Sequence, residues 1–175
     1  MIIDFSVIQR FRPVMERRGQ IIVTNGVFDL LHSGHVTMLE AARALGDVLW
    51  VGINSDESVR ALKGETRPIN SEQDRAFVLG ALRCVDYVTI FRDVRATEFL
   101  RLARPAYYAK GGDYSLSTLD PGERAVLEAC GARIVFIPTV PGLSTTRTIA
   151  KLSALPQAGG DLVPKHSFTD GKSQG

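Results

Sequence analysis

Along this chain, short continuous apolar runs alternate with stretches whose apolar residues recur at helical spacing. The runs are Ile21-Ile22-Val23-Thr24, Asp47 to Ile53 (DVLWVGI), Val85 to Ile90 (VDYVTI), Ala106 to Lys110 (AYYAK) and Ile134-Val135-Phe136-Ile137. Runs of this kind suit strands covered on both faces, and their alternation with helices predicts a parallel sheet wrapped by helices. The expected fold is α/β: Rossmann-like, three-layer α/β/α, with a five-stranded parallel sheet.

Helix starts are marked by capping residues. Asn70 with Gln73 fits a capping box ahead of Ala76, Phe77, Leu79 and Leu82. Asp120-Pro121-Gly122-Glu123 supplies an acidic N-cap, a proline at the first helical position and a glutamate at the third, with Gly131 placed to close the helix. Residues 1–20 read as an amphipathic helical segment, with Phe5, Ile8 and Phe11 packing outside the sheet or against a partner subunit. Residues 153–175 are rich in Gly, Pro and polar side chains without periodicity, the pattern of a flexible tail. The sheet-forming domain is then expected over 21–152.

Composition narrows the partners. With 175 residues and 45% hydrophobic content, the chain can bury one substantial core. Its 21 basic and 19 acidic side chains give +2, and the basic ones are scattered rather than aligned for a nucleic-acid backbone, which argues against DNA or RNA. Cys84 and Cys130 sit among apolar residues as small hydrophobes, so no disulfide framework is expected. No run approaches the ~18 apolar residues of a membrane span, and Asp4 with its charged neighbours interrupts any signal-peptide core. A cytoplasmic protein without membrane partners is expected.

The chemistry concentrates between Thr24 and His35 (TNGVFDLLHSGH), where the first strand passes into a helix running through Val36, Leu39, Ala42 and Leu45. Open α/β sheets bind ligands at this carboxyl edge. Gly26 admits a close backbone approach, and Gly34 clears space beside a helix N-terminus, whose free N–H groups and positive dipole end attract phosphate. His32 and His35 are three residues apart, so both imidazoles fall on one side and can grip neighbouring phosphate oxygens. Phosphoryl transfer asks the protein mainly for positioning and charge stabilisation. A lone histidine at a helix start is more often a packing residue, but the pair together with Gly26, Asp29 and Gly34 favours an anion-handling site. Zinc fits poorly, since the third histidine, His166, lies in the tail and the cysteines lie elsewhere. The metal expected is Mg²⁺, carried by a triphosphate. The first turn lacks GxGxxG, which argues against a dinucleotide-binding oxidoreductase.

These residues resemble the HxGH nucleotidyltransferases of the cytidylyltransferase type, and more closely the adenylyltransferase domain of bacterial ADP-heptose synthases. The resemblance runs from Ile21 to Leu152 through NGVFDLLHSGH, VGINSDESVRALKGETRPIN, RAFVLGALRCVDYV, YAKGGDY and PGLSTTRTI. It implies that His32 and His35 contact the triphosphate and stabilise the transition state, with Lys63 closing over the phosphates as a third catalytic residue. Asn25, Gly26, Val27, Phe28 and Gly34 would line the nucleotide site, and Asp29 would stand near the phosphates and metal. Arg75, Lys110, Gly112 and Asp113 would border the nucleotide, and Gly142, Ser144, Thr145 and Thr146 would present donors to it. Asp29, Lys63 and Arg67 would meet the sugar phosphate.

Glycerol-phosphate cytidylyltransferases are similar to RTxGISTT at the final block, whereas this chain reads Thr139-Val140-Pro141-Gly142-Leu143-Ser144-Thr145-Thr146. The missing arginine, with KGGDY and KGETRP, favours ATP and a heptose phosphate over CTP and glycerol phosphate. Many heptose enzymes fuse this domain to a sugar kinase, which 175 residues cannot hold. The resemblance thus implies transfer between ATP and D-glycero-D-manno-heptose 1-phosphate, by a homodimer. The alternatives are a CTP-dependent transferase of glycerol 3-phosphate or another phospho-alcohol, and a non-catalytic nucleotide sensor, which the intact HSGH argues against.

Overall fold

The computed structural model describes residues 1–112, 114–138 and 145–154. Five strands, β1 (Ile21–Gly26), β2 (Val48–Asn54), β3 (Tyr87–Phe91), β4 (Tyr107–Gly111) and β5 (Arg133–Ile137), pair in parallel in the order β3-β2-β1-β4-β5. The chain builds outward from β1 to β3, then returns to the other side of β1. That reversal opens a crevice beyond the carboxyl ends of β1 and β4, where open α/β sheets place ligands.

Successive strand residues face opposite sides of the sheet, so continuous apolar strands feed two separate cores. On one face Val23 and Trp50 join Ile8, Phe99, Leu100 and Leu127 under α1 (Ile8–Glu16), α5 (Thr97–Ala103) and α6 (Pro121–Ala129). On the other, Ile22, Leu49, Val51 and Val88 join Leu39 and Leu79 under α2 (Ser33–Arg43) and α4 (Glu72–Gly80). The three layers follow from this division. Trp50 is fully buried, and its indole N–H finds the Thr89 hydroxyl at 2.9 Å, which in turn donates to the Ile3 carbonyl. Gly52 is required by packing: a Cβ there would stand 2.4 Å from the Phe99 ring.

The N-terminal segment is only partly helical. Ile2 and Ile3 lie extended along β3, with the Ile3 amide donating to the Val88 carbonyl at 2.8 Å, before Asp4 caps a short 3-10 turn leading into α1. Phe11 of α1 meets Tyr87 edge to face at 5.5 Å, so this helix packs on the sheet's own core.

Two capping expectations fare differently. Asp120 caps α6 through the Gly122 and Glu123 amides, as the sequence predicts. Helix α4 is capped instead by Ser71, whose hydroxyl accepts from the Asp74 amide at 3.1 Å, because Asn70 is engaged with Asp29. Cys84 and Cys130 are free and half-buried. Helix α3 (Asp56–Lys63) ends the β2 connection, and α7 (Thr145–Ser153) closes the described chain. Of the tail expected at 153–175, Ser153 still belongs to α7, and residues 155 onward lie outside the described residues. Among the described residues no helix is long and apolar enough to cross a membrane.

Candidate active site

Strand β1 ends at Gly26, and the turn that follows forces Phe28 to a positive φ of 50° before His32 leads into α2 with an extended backbone. His35 falls in the first turn of the helix. The two imidazoles stack with ring centroids 3.9 Å apart, and Phe28 leans on His35 at 5.4 Å. Both Nδ1 atoms are buried and have no hydrogen-bond partner among the described residues. Burial, reinforced by the neighbouring His32 and Lys63, pushes the His35 pKa down to about 4. His35 is therefore neutral at pH 7, with one N–H to donate and one nitrogen to accept.

From this stack His35 opens on a cleft of about 450 Å³, lined also by Asn25, Gly26, Val27, Phe28, Lys63 and Lys110. Asn25 comes from the end of β1, Lys63 from the end of α3 and Lys110 from β4, so the sheet order brings together segments far apart in sequence. Gly34 lies behind His35 in the first turn of α2. Gly112, at φ 120°, donates its amide to the Ile137 carbonyl just past β4. Thr145 opens α7 and its hydroxyl donates to the Leu30 carbonyl at 3.2 Å, which holds that helix against the β1–α2 turn. Thr146 follows in the same helix, while Asp113, Gly142 and Ser144 lie outside the described residues.

Three expected ligand contacts are placed differently. Asp29 is 3% exposed and does not line the cleft. Its carboxylate accepts from Arg67 Nε at 2.7 Å and from the Ile69 and Asn70 amides, while Asn70 Nδ2 donates to its carbonyl. Burial alone would raise this carboxyl; the Asn70 and Ile69 amides and Arg67 outweigh it and hold it below the usual range. Asp29 and Arg67 thus latch the 67–70 connection to the β1–α2 turn.

Arg75 departs furthest from its expected place beside the nucleotide. Its side chain is wholly buried and donates to the Val27, Asn54 and Asn70 carbonyls and to Asp56 at 2.7 to 3.1 Å. The rigid fork of donors suits one side chain to several carbonyls, so Arg75 braces the site from beneath.

Sequence reasoning missed Tyr108 and Glu123. Tyr108 reads as one more apolar strand residue, yet its hydroxyl donates to Asn25 Oδ1 at 2.5 Å, beside the Lys110 ammonium at 3.2 Å. Glu123 reads as the third residue of a helix start, yet its carboxylate accepts from the Ala96 amide and it lines the cleft.

A parallel sheet of this order, with paired imidazoles at the turn after its central strand, defines the nucleotidyltransferase class of α/β proteins. Comparison with known proteins agrees: the cytidylyltransferase-like family matches residues 23–151. The chain belongs to that family. It is 46% identical over 148 residues to the bifunctional protein HldE of Syntrophotalea carbinolica, covering 82% of this chain and 30% of that one. Against HldE of Geobacter sulfurreducens it is 45% identical over 133 residues, covering 76% and 27%. The chain thus spans about three tenths of the length of these curated relatives. A solved lipopolysaccharide core biosynthesis protein from Thermoplasma volcanium shares the fold, with a TM-score of 0.57 at 24% identity over 69% of this chain and 96% of that one.

Proposed function

We propose that the chain transfers an adenylyl group from ATP to D-glycero-D-manno-heptose 1-phosphate, giving ADP-heptose and pyrophosphate. The observation that carries this reading is the stacked His32–His35 pair, with His35 lining the cleft and both Nδ1 atoms unpartnered among the described residues. The HldE relatives and the resemblance to ADP-heptose synthases point to the heptose acceptor. In this reading residues 21–152 form the transferase unit, acting as a homodimer in the cytoplasm.

An oxygen of the acceptor phosphate bonds to the α-phosphorus of ATP as the bond from that phosphorus to the α–β bridging oxygen breaks, and pyrophosphate departs with the released electron pair. The attacking oxygen is already anionic, so no general base is required. His32 and His35 steady the phosphate oxygens, and Lys63 brings a mobile charge to the same side. Mg²⁺ neutralises charge on the triphosphate when it is bound. Such an ion would be held chiefly by phosphate oxygens, since both Asp29 oxygens are committed to the latch and no cluster of three metal-ligating side chains occurs among the described residues.

Pyrophosphate release across sugar phosphates, glycerol 3-phosphate and all four nucleoside triphosphates tests the proposal. Turnover with ATP and the heptose 1-phosphate supports it; activity confined to CTP with glycerol 3-phosphate overturns it.

The depressed His35 pKa gives a second check. At pH 6 the free protein holds His35 neutral, and a triphosphate beside it raises the pKa by favouring the charged form. Binding of Mg-ATP at pH 6 is thus expected to take up protons, measured by calorimetry in buffers of different ionisation enthalpy. His35→Gln should remove that uptake; an unchanged uptake would place the phosphates elsewhere.

A further inference from the structure

The cleft carries a second polar sector, whose carboxylate no motif marks. Asn25 at the end of β1, Tyr108 and Lys110 on β4, and Glu123 in the first turn of α6 converge there. Asn25 Oδ1 accepts from both the Tyr108 hydroxyl and the Lys110 ammonium. Glu123 is only 5% exposed, and its Oε1 accepts from the Ala96 amide at 2.9 Å. The same carboxylate acts on the Tyr108 phenol and the Lys110 ammonium. Burial lowers the Lys110 pKa, and the Glu123 charge opposes that fall.

A buried carboxylate costs several kcal/mol unless it is matched, and here it stands in a cleft whose other side is built for phosphate. Its charge disfavours a phosphate oxygen directly beside it. A flat nucleobase wants an apolar slot, whereas the Tyr114 ring here already faces the Lys110 ammonium at 5.2 Å. A hydroxyl donates and accepts at once. Neighbouring hydroxyls of a sugar can donate to the carboxylate and accept from the ammonium, and charge-assisted bonds of that kind are the stronger ones.

We propose that Glu123, with Lys110 beside it, binds the hydroxyls of the acceptor sugar and sets a preference for polyhydroxylated phosphates over short phospho-alcohols. This rests on the reading of the chain as a sugar-phosphate transferase. Sites built to hydrogen-bond a hydroxyl strongly reject analogues that lack it, so the preference should depend on this one carboxylate.

The test is calorimetric binding of D-glycero-D-manno-heptose 1-phosphate, glycerol 3-phosphate and Mg-ATP to wild type and Glu123→Gln. Wild type should favour the heptose phosphate over glycerol 3-phosphate by roughly tenfold or more. Glu123→Gln should bring the two within about twofold while ATP affinity stays within about twofold. An unchanged preference, or a loss confined to ATP, overturns the assignment. Should Glu123→Gln fail to fold, Tyr108→Phe keeps the ring while removing the hydroxyl beside Glu123, and must reduce the same preference; no reduction there also overturns it. Absence of wild-type turnover with every sugar phosphate would defeat the functional reading itself. Turnover with an undiminished preference in Glu123→Gln defeats this inference alone.

Discussion

Replacing His35 with alanine is expected to slow turnover roughly a hundredfold or more while leaving most ATP affinity intact, as removal of one preorganised donor does in other enzymes. The ring is poised for such a role: it is neutral, stacked on His32 and held by Phe28 at the edge of the cleft. Loss of an interaction that strengthens as charge builds up on the transferring phosphorus lowers kcat without raising KM. Steady-state kinetics with separate titration of ATP binding distinguishes the cases. A parallel loss of ATP affinity would make His35 a plain binding residue, and wild-type turnover would remove it from the mechanism.

Arg75→Met is expected to destabilise the fold by about 3 kcal/mol, because removing the guanidinium strands buried carbonyls and one carboxylate. Asp56 keeps 26% of its side chain exposed, which holds the loss toward the lower end for a broken buried pair. For a chain of this size the melting temperature should fall by roughly 6–12 °C. Arg75→Lys keeps the charge but not the planar fork, so it should recover only part of the loss. Thermal denaturation of the three proteins checks this. A melting temperature within about 2 °C of wild type for Arg75→Met would mean that the carbonyls find other donors.

Much of this architecture was legible in the chain. Each strand appeared as an apolar run because both faces of the sheet are covered, and the His32–His35 stack follows from their spacing at a helix start. What escaped notice depends on tertiary direction. Arg75 and Asp29 read as charged residues available to a ligand, but their polar atoms turn inward to backbone groups from distant segments. Nothing local in the sequence signals that choice. Glu123 satisfied a helix-start pattern so well that its path to the Ala96 amide and the cleft was hidden. The shift of the α4 cap from Asn70 to Ser71 has the same origin, since a long-range bond to Asp29 outcompeted a local one.

The latch on Asp29 gives the protein a built-in reporter. The Ile69 and Asn70 amides are held by a carboxylate three residues ahead of His32, so they exchange hydrogen with solvent when the β1–α2 turn loosens. Occupation of the cleft is then expected to register as slower exchange at these two amides.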